Sequence, residues 1–193
     1  MKKTRLIRYF SALFTGVLCL SGILIIAEEK PADPFSELRE SKQKVDSLNK
    51  YIGRIYTEKP AEAKYLGKQT YLMAKRLQYL NGQKDALYTL SNVYKLTGSL
   101  DTSDIYIDRF LELAEKSNDT LDFANGYYQK GNILRRRIGS DTAEYYYLKS
   151  RELFRRMKDD FGLLGVSNAL KIISKNRNYY NEAVYYFHDA FKY

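Results

Sequence analysis

Pairs of polar and aromatic side chains that recur at one fixed interval are the part of this chain best suited to chemistry. The set comprises Tyr88 and Tyr128, Asn92 and Asn132, and Lys95 and Arg135. An Asn amide both donates and accepts hydrogen bonds, which suits a peptide backbone. Lys and Arg side chains bind carboxylates. The pattern therefore predicts a binding site for an acidic peptide segment, with an ordinary polar helix face as the alternative interpretation.

Catalysis and metal or cofactor binding are not expected. The lone His188 has no carboxylate partners at a metal-binding spacing. The single cysteine, Cys19, leaves the rest of the chain without a thiol. Gly162 and Gly165 lack the following lysine and the preceding strand of a phosphate-binding loop. We therefore predict a protein that is not an enzyme.

The net charge of +9 is moderate. Four of the basic residues stand in the first eight positions, and the remaining excess is spread along the chain without a basic stripe. A nucleic-acid-binding protein is expected to concentrate such charge on one face. The composition therefore argues against nucleic acid as a partner.

Residues 1–27 have the layout of an export signal. A basic start is followed by an uncharged run from Phe10 to Ala27. The run is longer than a usual signal core and close to a minimal membrane span, so a cleaved signal peptide and an uncleaved anchor both remain open. Either one predicts that the rest of the chain is exported, and lies in the periplasm or is anchored to the inner membrane facing outward.

A polar, proline-bearing linker, residues 28–34, precedes a repetitive region over 35–193. The stretch beginning Asp101-Thr102-Ser103 returns as Asp141-Thr142-Ala143, and a third copy begins at Asn181. A column of small residues recurs with it, followed two positions later by a column of large ones. The small column is Ala63, Ser103, Ala143 and Ala183, and the large one is Tyr65, Ile105, Tyr145 and Tyr185. A fixed period of about 40 residues indicates stacked supersecondary units.

Each unit is predicted to be a helix hairpin, because the region from residue 61 onward contains no proline and its apolar residues follow a helical period. We expect units at about 35–82, 83–120, 121–160 and 161–193. Asn81-Gly82 is expected to end the second helix. Asp101 and Asp141 are expected to cap the helices that follow them. Most of the 19 tyrosines are expected to fill the space between helices.

These hairpins resemble tetratricopeptide repeats (TPRs). The resemblance rests on the small residue opening each second helix, on small residues inside first helices (Ser91 and Gly131), and on the aromatic residues between them. It implies an all-α, right-handed solenoid of about four antiparallel hairpins. The period is longer than is usual for these repeats, and Lys171 replaces a small residue, which argues against a regular first helix in the fourth unit.

In the family that the chain resembles, first helices line a concave groove. The resemblance thus implies that a peptide docks between Tyr88 and Tyr128, with Asn92 and Asn132 holding its backbone. Lys95 and Arg135 then hold its acidic group. The run Arg135-Arg136-Arg137 can also be interpreted as a contact for anionic lipid or nucleic acid, or simply as cations that favour a helix C-terminus.

The long-period form behind an export signal also resembles the extracytoplasmic part of bacterial two-component sensors and related regulators. The alternative function is therefore that of a sensor region without its output domain. The tyrosine-rich last helix, ending at Phe191-Lys192-Tyr193, has no polar outer face. We expect a partner, further sequence or a second copy of the chain to cover it.

Overall fold

The computed structural model describes residues 31–137 and 140–189, and within these ranges it is all-α. Short links connect consecutive helices, so neighbours in sequence pack as antiparallel hairpins. The hairpins pair α1 with α2, α3 with α4, α5 with α6, and α7 with α8. The helices are α1 (Lys42–Ile55), α2 (Pro60–Arg76), α3 (Leu80–Leu96), α4 (Leu100–Ser117), α5 (Thr120–Arg137), α6 (Ser140–Met157), α7 (Asp160–Asn176) and α8 (Tyr180–Asp189).

The helices recur with half of the period seen in the sequence. From α2 onward, they begin at the evenly spaced positions 60, 80, 100, 120, 140, 160 and 180. Residues with positive φ mark several of the links at the same spacing, and such a residue typically ends a helix. They are Gln78, Gly98, Asn118, Lys158 and Asn178. One period of the sequence is therefore two helix-and-turn units of equal length.

The prediction that Asn81-Gly82 ends the second helix is wrong. That helix ends at Arg76, and Asn81 and Gly82 lie in the first turn of α3. Gly82 serves packing instead of a turn, because a Cβ added there would lie 2.4 Å from Val45 and 2.6 Å from the Tyr79 ring. Gln78 reverses the chain with a φ of 50° and needs no glycine to do so.

The fourth unit also differs from the prediction. Although Lys171 replaces a small residue, α7 is a continuous helix of 17 residues. The Lys171 side chain is only partly buried, and its ammonium donates to Asn168 Oδ1 at 3.0 Å. The position therefore does not need a small residue for α7 to form.

The core runs along the array as three buried clusters. One joins α1, α2 and α3, one joins α3, α4 and α5, and the third joins α5 to α8. The first helices of successive hairpins also touch, since α3 contacts α1 and α7 contacts α5. Each unit therefore buries its apolar face against its neighbours, as in helical-repeat proteins.

Three residues of the small column are buried, whereas three residues of the large column are exposed. Ala63, Ser103 and Ala143 are fully buried, as predicted. Tyr145 and Tyr185, by contrast, are more than half exposed, so these tyrosines do not fill the space between helices. Tyr147 is the fully buried tyrosine of α6. One helical residue advances about 100°, so positions two apart lie on nearly opposite sides of a helix.

Asp101 and Asp141 do not precede their helices, so the capping prediction is wrong. Both lie in first turns, and they pair with arginines at the ends of later helices. Arg137 contacts Asp101 at 3.2 Å and Asp104 at 2.7 Å. One period later, Arg177 contacts Asp141 and Glu144, both at 2.5 Å. We call these two groups the cross-hairpin clamps.

The predicted signal or anchor in residues 1–27 and the chain end at 190–193 lie outside the described residues. Among the helices that the structure does describe, none is long and apolar enough to span a bilayer.

Candidate functional site

The predicted binding residues lie on neighbouring faces of α3 and α5. Steps of three or four residues keep side chains on one face of a helix, so Tyr88, Asn92 and Lys95 share a face of α3. Tyr128, Asn132 and Arg135 share the matching face of α5. We call the surface formed by these two faces the α3–α5 face.

Gln129 joins the two helices of this face. Its side chain is 1% exposed. Its Oε1 accepts a hydrogen bond from Lys95 Nζ at 2.7 Å, and its Nε2 donates to Asn92 Oδ1 at 2.9 Å. Nε2 also lies 3.4 Å from Ser91 Oγ, which belongs to a buried serine pair with Ser103. The network fixes Lys95 and Asn92 in position, since buried polar groups need their partners.

Three cations converge next to this network. Lys95 lies close enough to Arg135 and Arg136 for their charges to disfavour its own, and Arg136 donates to the Lys95 carbonyl oxygen at 2.6 Å. Within the described residues, none of the three forms an ion pair with a carboxylate, and Arg135 Nε is buried without a hydrogen-bond partner. We call Lys95, Arg135 and Arg136 the cation cluster. It is a local positive field without an internal counter-charge.

The two aromatic residues of the prediction are half-buried and pack against other rings. The Tyr88 ring lies 5.3 Å from that of Phe110, and the Tyr128 ring lies 5.9 Å from that of Tyr147. Burial, followed by the nearby Tyr128 and Tyr56, raises the pKa of Tyr88 to about 12. Tyr88 therefore stays protonated and uncharged at physiological pH.

Asn132 and Arg135 both lie beside Tyr147. The Tyr147 hydroxyl donates to Asn132 Oδ1 at 3.0 Å. Burial raises the pKa of Tyr147, and the neighbouring Arg135 partly offsets this. Asn132 accepts from inside the protein, and Asn92 is likewise held by Gln129 and by the Tyr88 carbonyl. Both amides are therefore positioned by internal contacts.

Gln129 was missed by the sequence interpretation, and Arg136 was noted only within the run Arg135-Arg136-Arg137, not as part of the peptide-binding site. Their counterparts one period earlier are Thr89 and Leu96, whose side chains differ from them in size and chemistry. The available signal was helical spacing instead of the repeat: Asn125, Gln129 and Asn132 follow one another at steps of four and three along α5.

An acidic cavity lies at the other end of the α3–α5 face, nearer the helix N-termini. It has a volume of about 750 Å³ and is formed mainly by α1, α3 and α5. Its charged lining consists of four carboxylates and two lysines, namely Asp46, Asp85, Asp119, Asp122, Lys50 and Lys84. Tyr88 borders it. The same face thus carries an acidic and a basic region.

The region described by the structure contains no group of His, Cys, Asp and Glu side chains able to hold a metal ion. The acidic cavity therefore has carboxylates without the converging geometry that a divalent cation requires.

Lys95 gives the cation cluster a measurable pH dependence. Its pKa is lowered to about 8, first because burial disfavours the ammonium and then because Arg136 and Arg135 repel it. An unfolded lysine titrates near about 10.4. Between these values the unfolded chain holds a proton that the folded chain has lost, so this group adds stability as pH rises.

We expect the wild type to gain on the order of 2 kcal/mol relative to Lys95→Met between pH 7 and pH 10, from linkage. Urea unfolding of both proteins across this range measures the difference. The tyrosines titrate in both, so their effect largely cancels. Lys116→Met, at an exposed lysine of α4, serves as control and is expected to show no such slope. A constant difference between wild type and Lys95→Met would show that Lys95 titrates normally.

Fold and site together define an all-α array of helix hairpins with a polar face along its first helices. No family model matches the chain, and a search of the curated proteins finds no match. Among solved structures, the chain is similar to the crystal structure of BtubC (BKLC) from P. vanneervenii, with a TM-score of 0.65 and 16% identity. The match covers 77% of this chain and 60% of that one. At this identity the similarity shows the fold alone.

Proposed function

We propose that the chain is a protein-interaction module that binds an acidic peptide segment along the α3–α5 face. The cation cluster carries the proposal. A cluster of Lys95, Arg135 and Arg136 that no carboxylate neutralises within the described residues is costly unless a ligand supplies the charge. A carboxylate from a partner forms charge-assisted hydrogen bonds with such donors.

The neighbouring groups suit a peptide better than an isolated small anion. Tyr88 and Tyr128 are only partly buried, and each precedes an asparagine of the face by one helical turn. Asn132 uses its Oδ1 on Tyr147, which leaves its Nδ2 as a donor for a backbone carbonyl. The module acts by binding, and we do not propose a reaction.

The test is affinity selection from pooled random octapeptides, prepared with either free or amidated C-termini. We expect the wild type to retain peptides rich in Asp and Glu or ending in a free carboxylate. We expect Arg135→Gln to weaken binding of the retained peptides by about tenfold or more, in line with the loss of a charged hydrogen bond. Isothermal titration of individual peptides measures the change.

Arg137→Gln is the matched control. It removes a cation two residues further along α5 whose charge is already used by Asp101 and Asp104. Its affinity is expected to stay within about twofold of wild type, since exposed ion pairs contribute little. If no acidic peptide is enriched, or if both variants lose affinity equally, the α3–α5 face is not the binding site.

We further propose that the hairpins are of the TPR type, coiled to the right, and that the chain works outside the cytoplasmic membrane. The small residues Ala63, Ser103 and Ala143, buried where hairpin helices meet, support the first proposal. The basic and apolar layout of residues 1–27 supports the second. Fractionation of cells expressing the full chain tests the location.

A sensor region of a signalling protein is the second candidate function. It is favoured by three exposed side chains at the last hairpin, Tyr179, Val184 and Tyr185, each more than half exposed. A photo-crosslinking residue placed at Val184 and another at Tyr128 separate the candidates in the cell. Adducts from Tyr128 support the peptide-binding face, whereas adducts confined to Val184 support signalling, or self-association, through the last hairpin.

A further inference from the structure

We infer that the acidic cavity between α1, α3 and α5 binds an organic cation, the alkylammonium or guanidinium group of a basic side chain. This goes beyond the proposed function and rests on other charged residues, although Tyr88 borders both sites. The geometry of Asn49, Asp85 and Asp46 carries it.

Asn49 provides a buried acceptor without a partner. The residue is 8% exposed and lines the cavity. Its Nδ2 donates to the Gly82 carbonyl at 3.0 Å, which fixes the orientation of the amide, because a carbonyl cannot donate in return. Its Oδ1 is then left without a hydrogen bond. A buried acceptor of this kind costs free energy until a donor reaches it.

The carboxylates of the cavity are only partly neutralised. Lys84 forms ion pairs with Asp119 and Asp122, so its charge is already neutralised. Asp85 forms no ion pair within the described residues, and Asp46 lies close enough to the Tyr79 hydroxyl to raise the pKa of Tyr79. Asp85 is exposed to solvent, and partial desolvation by its neighbours, followed by the charges of Asp122 and Asp46, raises its pKa. When the exposed Lys50 is counted, the four carboxylates and two lysines of the lining still carry a net charge of −2.

The remaining walls favour an organic cation over a metal ion. Tyr88 and Phe110 border the cavity, and an aromatic face attracts a cation on an alkyl chain. Tyr79 already has Lys42 Nζ 5.5 Å from its ring centre. Among the described residues no cation lies over the Tyr88 ring, so Tyr88 is the tyrosine that can contact the ligand. A metal requires several converging oxygen ligands, and the described residues contain no such group.

The experiment is a ¹⁵N-edited NMR titration of the full chain with n-butylammonium, n-butylguanidinium and N-acetyl-lysine methylamide, against CaCl₂ and NaCl at equal ionic strength. We expect the organic cations to cause saturable shifts at the Asn49 side-chain amide and at Tyr88. Tighter binding of the lysine derivative than of n-butylammonium identifies a peptide side chain as the source, and the reverse identifies a free amine.

Asp85→Asn is expected to weaken binding about tenfold, while Glu112→Gln, at an exposed acid on α4 outside the cavity, leaves it unchanged. Asp85→Asn is close in shape and relieves carboxylate repulsion; Asp46→Asn provides a second variant should it fail to fold. Equal shifts from NaCl, tighter binding of Ca²⁺, or an unchanged affinity in the Asp variants overturns the inference. Loss of acidic-peptide binding at the cation cluster leaves these results unaffected, so the two proposals fail separately.

Discussion

Tyr147→Ala is expected to lower the free energy of unfolding by about 3–5 kcal/mol, the range for removing a fully buried aromatic side chain. Tyr147 is 0% exposed. Its ring lies so close to Gly131 that a Cβ added there would be 2.6 Å from it. The helices α5 and α6 have approached each other around this ring, so truncation leaves a cavity that they cannot readily close. Urea unfolding followed by circular dichroism measures the loss.

Tyr145→Ala is the matched control, because Tyr145 belongs to the same helix and is 53% exposed. It is expected to cost less than about 1 kcal/mol. Tyr147→Phe separates packing from hydrogen bonding. It keeps the ring and removes the bond to Asn132, for an expected loss of about 1 kcal/mol. Equal losses for the two alanine variants would contradict the burial assigned to α6.

Lys84→Met is expected to cost about 3 kcal/mol at pH 7, because removing one partner of a buried ion pair leaves the other charge uncompensated. Lys84 is 4% exposed. Its ammonium contacts Asp122 and lies 3.2 Å from Ser117 Oγ and 3.7 Å from Asp119 Oδ2. One side chain of α3 thereby holds the end of α4 and the start of α5. Lys50→Met, at an exposed lysine of the same cavity, is expected to change stability by less than about 0.5 kcal/mol.

The loss in Lys84→Met depends on pH. A backbone hydrogen bond from Asp122 and, to a lesser extent, Lys84 lower the pKa of Asp119. A carboxylate with a depressed pKa stabilises the fold above its unfolded pKa and ceases to do so as pH falls through its folded pKa. The difference between wild type and Lys84→Met is therefore expected to shrink from pH 7 to about pH 3. Unfolding curves at the two pH values test this, and a larger difference at low pH would rule out the ion-pair explanation.

Much of the fold could be predicted because small side chains recur at the period of the repeat. The small column at Ala63, Ser103 and Ala143 is buried as expected, and helix hairpins follow from it. The positions of the turns, which recur at half of the sequence period, could not be predicted from residue type. Gln78 and Lys158 adopt the left-handed conformation without being residues that favour it.

The candidate site likewise contains some residues that the repeat predicts and others that it does not. The six predicted residues form pairs one period apart, so the period brings them to matching faces of α3 and α5. Gln129 and the acidic cavity belong to one place in the array and have no counterpart one period away. Asp46 aligns with Ala86, and Asp85 aligns with Asn125. A feature assembled once from several helices depends on tertiary contacts, which the repeat does not encode.

The cross-hairpin clamps have a further consequence. Arg137 reaches back to Asp101 and Asp104, and Arg177 reaches back to Asp141 and Glu144, so one junction is copied into the next by a shift of one sequence period. The acids lie at helix N-termini and the arginines at helix C-termini, where each charge is favourable by itself. Such a junction is a reusable connector. A cassette of one full period, duplicated in register, carries its own acids and its own arginine, so the array can be lengthened without designing a new interface.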